Sequence, residues 1–317
     1  MKTVVTSSIK TAASFVKRGE LVGMPTETVY GLGANVFDEN AVKKIFKVKK
    51  RPPDNPLIVH VSAYEQIEQL ADKITLIAEK IIRNFFPGPI TIVLKKNEII
   101  SNYVTARLDT IAIRMPNLDI TKRFIDACGV PIAAPSANIS GSPSPTSWMH
   151  VYNDLNGKIP CILKGPKCKV GIESTVVDCT SFIPVILRPG CVSIDDLKKI
   201  FPSVKILSPV QNGIVKSPGM KYKHYSPKAK VVLVEGKEDV LKILSKYSSK
   251  NFAFIGFEKI SSARKSKVVS SLNDYAHKLF AFFRYCDESG IEFIFCQKVE
   301  EKGIGLALMN RLQKAAC

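Results

Sequence analysis

Paired cysteines are missing from this chain. Its eight, Cys128, Cys161, Cys168, Cys179, Cys191, Cys286, Cys296 and Cys317, include no Cys-x-x-Cys, which argues against a zinc ribbon or a dithiol redox site. Several lie in apolar runs, as Cys161 does in Cys161-Ile162-Leu163, and read as small reduced core residues. No apolar run approaches the roughly 18 residues that a membrane span requires. The first residues, Met1 to Ser8, lack the apolar stretch of a signal peptide, so a cytoplasmic location without membrane contact is expected. The P-loop pattern Gly-x-x-x-x-Gly-Lys-Ser/Thr is absent, as are Gly-x-Ser-x-Gly and the kinase signatures. Nor is there an interleaved aromatic platform of the kind that grips single-stranded nucleic acid, an internal repeat or a low-complexity tract.

Positive charge, by contrast, is abundant. The formal net charge is +18 over 317 residues, which suits a polyanionic partner such as nucleotide or RNA. With 45% hydrophobic residues, the chain can bury substantial cores without disulfides. Its length favours two domains. A polar stretch punctuated by Pro and Gly, Ser217-Pro218-Gly219-Met220-Lys221-Tyr222-Lys223-His224-Tyr225-Ser226-Pro227, reads as a linker. The expected division is 1–207, a linker over 208–229, and a smaller domain over 230–317.

Before the linker, helices alternate with short apolar strands. Ser7 or Ser8 and Asp38 cap the first two helices. Ser62-x-x-Glu65 has the form of a capping box opening one long helix through Ile67, Leu70, Ile74, Ile81 and Phe85, stopped at Pro87-Gly88-Pro89. Asp119 opens another, closed by Gly129. Strands are expected at 21–24, 57–61, 90–94, 111–114, 131–134, 160–163, 174–178 and 185–188. Helices come early and strands crowd later, which predicts an α/β fold with a twisted, open, mixed sheet. After the linker, strands at 231–234, 252–257 and 291–295 alternate with helices at 271–289 and 303–314, which predicts a small parallel α/β sheet.

Several polar clusters have no packing reason. Pro25-Thr26-Glu27-Thr28-Val29-Tyr30-Gly31-Leu32-Gly33 follows a strand and would sit at its carboxyl end, where ligands collect in open α/β sheets. Lys47-Val48-Lys49-Lys50-Arg51-Pro52-Pro53-Asp54-Asn55-Pro56 sets cations against a proline-stiffened loop; Lys49 and Arg51 suit phosphate oxygens. Ala134-Pro135-Ser136-Ala137-Asn138-Ile139-Ser140-Gly141-Ser142-Pro143-Ser144 runs from a strand into small hydroxyls able to cradle phosphates. Arg114 and Arg188 end apolar strands and need an anionic partner, either a ligand or a structural carboxylate. His60, on a strand, reads as a ligand or as a satisfied core histidine.

In their order and spacing these clusters resemble the Sua5/YrdC/YwlC family, the threonylcarbamoyl-AMP synthases. The family's Lys-x-Arg and Ser-x-Asn stand here as Lys49-Lys50-Arg51 and Ser136-Ala137-Asn138, with Lys50 where the family often has Gly. The segment from Ser217 onward, with Arg311 near its end, is similar to the Sua5 subtype. The resemblance implies a YrdC-like first domain, a linker able to fold over the pocket and a Rossmann-like C-terminal domain. It implies a nucleotidyltransferase that makes threonylcarbamoyl-AMP and pyrophosphate from L-threonine, bicarbonate and ATP, for the t6A modification of tRNA.

It also implies that Thr26, Tyr30, His60, Arg114 and Ser174 surround threonine. Lys49, Arg51, Thr110, Ser136, Asn138, Ser144, Arg188 and, from the linker, Tyr225 face ATP, with Lys49, Arg51, Ser136 and Asn138 as the catalytic set. Mg²⁺ is expected on the ATP phosphates, with no metal site of the protein's own. Hand-over of the product to a t6A transferase complex and weak tRNA or double-stranded RNA binding are left open. A pure RNA- or ribosome-binding protein is the competing class, and its mark is a steep salt dependence without need of threonine. A carbamoyl-transfer domain of hydrogenase maturation would need acylphosphatase-like and zinc-finger segments, which the chain lacks.

Overall fold

The computed structural model describes residues 2–207, 225–245 and 251–316. In the first part the strands are β1 (Val4–Thr6), β2 (Val22–Met24), β3 (Gly31–Asn35), β4 (Ile58–His60), β5 (Ile90–Lys95), β6 (Thr110–Arg114), β7 (Ile132–Ala133), β8 (Cys161–Leu163), β9 (Thr175–Asp178), β10 (Val185–Arg188) and β11 (Lys205–Ile206). They form one sheet in the order β1-β8-β2-β3-β7-β4-β6-β5-β9-β10-β11. Its pairing is mixed: β4 runs parallel to β6 and β5 to β9, whereas β5–β6, β4–β7 and β9–β10 are antiparallel.

Strand alternation gives this sheet two unlike faces. On one, Val59, Ile92, Ile111, Ile113, Val177 and Ile186 meet the apolar stripes of the helices in the main core. On the other, Ile58, Val93, Ala112, Val176 and Leu187 form a small apolar floor. His60 and Arg114, paired across β4 and β6, continue that second face.

Helix Glu39–Lys49 shows how sequence period sets burial. Asp38 accepts from the Ala41 amide at its start, and Val42, Ile45 and Phe46 point inward. Lys49 falls next on the same stripe and is buried with them. Lys50 then ends the helix in the left-handed region, φ +52°. A β-substituted residue is strained there and glycine is not.

Two sequence expectations change. The long helix from Ser62 is two helices, Glu65–Leu70 and Leu76–Phe85, the second capped by Thr75. The presumed capping box does not form; Ser62 instead donates its amide to Gln66 Oε1, at 2.8 Å. The glycine-rich run after Tyr30, outside the strands expected, is strand β3. There Gly33 lies where a Cβ would meet Ile132 Cγ2 at 2.7 Å.

The second part has β12 (Lys230–Val234), β13 (Phe252–Gly256), β14 (Lys265–Val268) and β15 (Phe293–Gln297), all parallel, in the order β12-β15-β13-β14. Helix Leu272–Glu288 lies between this sheet and the first domain. Its Tyr275, Ala276, Leu279, Phe280 and Phe283 share one core with Val29 and Ile172 of the first domain and with Tyr225. Arg284 clamps Asp154 with two bonds, 3.0 and 2.7 Å. Of the expected linker, 208–224 lies outside the described residues. Among the described residues no helix is long and apolar enough to cross a membrane.

Candidate active site

A cavity opens on the second face of the sheet. Thr26, Lys49, Arg51, His60, Arg114, Ser136, Asn138, Ser174, Arg188 and Tyr225 all line it. They come from eight separate stretches of chain, and the fold brings them to one hollow. Thr26 follows β2, Ser136 follows β7, and His60, Arg114 and Arg188 end β4, β6 and β10, so much of the lining comes from the carboxyl ends of strands, as expected for the Thr26 cluster.

At one end lies a buried network around Arg114. Its Nη2 pairs with Glu27 Oε1 at 2.6 Å, and its Nη1 donates to Thr28 Oγ1 at 2.7 Å. Thr28 and Thr26 share a hydroxyl contact of 2.9 Å. His60 is fully enclosed beside this guanidinium. Burial first, and then Arg114, push its pKa down to about 3, so the ring is neutral. Its Nδ1 has no protein partner among the described residues. Ser174 shares a 2.8 Å hydroxyl contact with Thr91, and its carbonyl accepts from Arg188 Nη2 at 2.9 Å. Burial lowers the Arg188 pKa to about 10, which leaves it a cation at neutral pH.

At the other end, Lys49 Nζ donates to the carbonyls of Ser136 and Asn138, each at 2.5 Å. Burial, and then the Arg51 charge, hold its pKa well below the usual value. The Lys-x-Arg and Ser-x-Asn segments are therefore one structural unit. Arg51 Nη2 donates to the Asn55 carbonyl at 3.0 Å. Asn138 Nδ2 holds its own loop through Ile139 and Ser142. Its Oδ1 and the Ser140 hydroxyl have no protein partner among the described residues.

Three expected residues lie off the lining. Tyr30 is buried, with its phenol bonded to the Pro166 carbonyl and the Gly165 amide. Ser144 is turned to Glu173 Oε1, at 2.6 Å. Thr110 shares the face of Arg114 but starts β6, about 13 Å along the strand. The structure adds Thr28, Ser140 and Glu173 to the lining. Thr28 was legible as the i+2 neighbour of Thr26, and Glu173 as the acid beside Ser174.

A family model described as "Telomere recombination", for Sua5, YciO and YrdC proteins, matches residues 14–190. The chain belongs to this Sua5/YciO/YrdC family. A second model, "Threonylcarbamoyl-AMP synthase, C-terminal domain", matches residues 192–317. A Pyrococcus abyssi protein named threonylcarbamoyl-AMP synthase is 45% identical, over 97% of this chain and 94% of its own. A Bacillus subtilis protein of the same name is 40% identical, over 97% of this chain and 92% of its own. The crystal structure of P. abyssi Sua5 complexed with L-threonine superposes with a TM-score of 0.94 at 43% identity, over 99% of this chain and 98% of that one. This Sua5-family chain therefore spans both domains of its relatives.

Proposed function

We propose that this chain is a threonylcarbamoyl-AMP synthase. It joins L-threonine, bicarbonate and ATP into threonylcarbamoyl-AMP and pyrophosphate, and so supplies the t6A modification of tRNA. The observation that carries this reading is the gathering of Lys49, Arg51, Arg114 and Arg188 around one hollow. The name shared by the relatives points the same way.

The threonine amine and bicarbonate condense to a carbamate with loss of water. A carbamate oxygen then attacks the α-phosphorus of ATP, and pyrophosphate leaves. An anion approaches a polyanion in this step, so fixed cations do most of the work. The buried Arg114 network, with Thr26, Thr28 and His60, suits the carboxylate and hydroxyl of threonine. Lys49, Arg51, Ser136, Asn138, Arg188 and Tyr225 suit the nucleotide.

Mg²⁺ fits as a companion of ATP rather than as a ligand of the protein. The one carboxylate on the lining among the described residues, Glu173, is held by Arg311 and Ser144, while Glu27 behind the lining is paired with Arg114. The metal would bind phosphate oxygens and offset their charge.

The test is pyrophosphate release from ATP with threonine and bicarbonate present or omitted. Release should need both. Arg51→Ala, which removes a cation without emptying the core, should lower it roughly 100-fold or more. Release that ignores threonine would refute the assignment.

A further inference from the structure

The last helix, Ile304–Ala316, sends one side chain out of its own domain. Arg311 is 0% exposed. Its Nε donates to Glu173 Oε2 at 2.9 Å, and its Nη1 to the Pro189 carbonyl at 2.9 Å. Its guanidinium carbon stands 5.6 Å from the centre of the Tyr225 ring. Glu173 and Tyr225 line the cavity, and Pro189 directly follows the lining residue Arg188. The backbone here is tight: a Cβ on Gly190 would meet the Thr175 nitrogen at 2.2 Å. Arg311 thus holds the ends of two adjacent strands from behind.

We propose that Arg311 is a positioning residue for ATP, through which the C-terminal domain completes the wall of the active site. It orients Glu173 and Tyr225 and cancels the charge of a carboxylate that would otherwise confront the phosphates. The idea rests on the proposed function.

Charge decides between this role and a simple staple between domains. The seam already has an apolar core and the Arg284–Asp154 clamp, and a buried ion pair stabilises a fold less than apolar packing does. The clamp lies off the cavity, whereas Arg311 holds the single acidic side chain among the described residues of its lining. The groups facing Glu173 are Arg188 from β10, Arg311 and Lys314 from the last helix, the Ser144 hydroxyl and the Tyr225 ring. Burial raises the Glu173 pKa, but Arg311, Arg188 and Ser144 outweigh it and hold the group ionised. Without Arg311, burial is opposed only by Arg188, Lys314 and Ser144, so Glu173 takes up a proton more readily as pH falls and is a less fully compensated anion as pH rises.

The experiment is calorimetric titration of the full chain with MgATP at pH 6 and pH 8, with thermal melts as controls for folding. Arg311→Met should weaken binding roughly tenfold at pH 8 and less at pH 6. Glu173→Gln combined with Arg311→Met removes both charges and should return binding to within about threefold of the unaltered chain. Binding unmoved in Arg311→Met, or a double variant no tighter than the single, overturns the proposal. If Arg311→Met does not fold, the double variant is decisive: a normal melt with binding lost also overturns it. An unaltered chain that does not bind ATP would defeat the proposed function itself. Normal binding by the unaltered chain beside indifferent variants defeats only the role of Arg311.

Discussion

His60 stays uncharged because its ring is enclosed and faces the Arg114 guanidinium. Its pKa falls from 6.5 to about 3 on folding. The unfolded chain therefore binds a proton at pH 5 that the folded chain refuses, and stability falls as pH drops below 6.5 towards 3. By this linkage His60 costs about 2 kcal/mol at pH 5 relative to neutral pH. His60→Gln should be less stable than the unaltered chain at pH 7, yet lose less on acidification. Denaturant melts at pH 7 and pH 5 would show it, and parallel losses in the two proteins would contradict it. His150, likewise depressed, to about 4, is common to both proteins and cancels in the comparison. At this scale the sequence was a good guide to residue type and a poor one to partners. Lys49 and Arg51 were legible as cations set against a proline-stiffened loop, although Lys49 itself ends the helix Glu39–Lys49. That Lys49 grips the Ser136 and Asn138 carbonyls was not, because those contacts span nearly ninety positions of chain. Tyr30 and Ser144 lie off the lining and bond to protein groups; a hydroxyl in a motif does not announce whether it faces a ligand or a neighbour.

Among the elements, the loop over 170–174 is tightly constrained. Gly171 has φ +85°, and a Cβ there would meet His277 Cα at 2.5 Å and the Ala276 carbonyl at 2.6 Å. Helix Leu272–Glu288 rests on it backbone to backbone. Gly171→Ala should therefore lose stability through both left-handed strain and overpacking, about 2–4 kcal/mol together. Gly129→Ala is the natural control, since Gly129 has φ +73° with nothing within 4 Å; it should lose only the backbone part, about 1–2 kcal/mol. Equal losses in urea unfolding would mean that the helix contact carries no weight. Most elements were visible in hydrophobic period and caps, including the helix ending at Gly129 and the strands bearing His60, Arg114 and Arg188. The single helix predicted from Ser62 failed because Ala71–Ile74 can join two apolar stripes in sequence without continuing one in space. Strand β3 was hidden by its glycines, which usually mark turns but here let strands and side chains approach closely.

For the molecule as a whole, the two domains share a core, two ion pairs and one wall of the cavity. A chain ended at residue 207 would expose Val29 and Ile172 and leave Glu173 without Arg311. Such a chain should melt lower than the full chain and bind ATP roughly tenfold or more weakly. Thermal melts and ATP titration of the two lengths would decide it; equal affinity would make the second domain idle in binding. The second, parallel sheet was legible in the strand–helix alternation after residue 230. The seam between the domains was not, since no local pattern joins Glu173 to Arg311.

The placement of Arg311 bears on how such proteins can be rebuilt. A chimaera that pairs this N-terminal half with a foreign C-terminal half inherits an active-site wall only if the donor presents a guanidinium at the same depth. A graft made at the domain boundary is thus also a cut through the wall of the cavity.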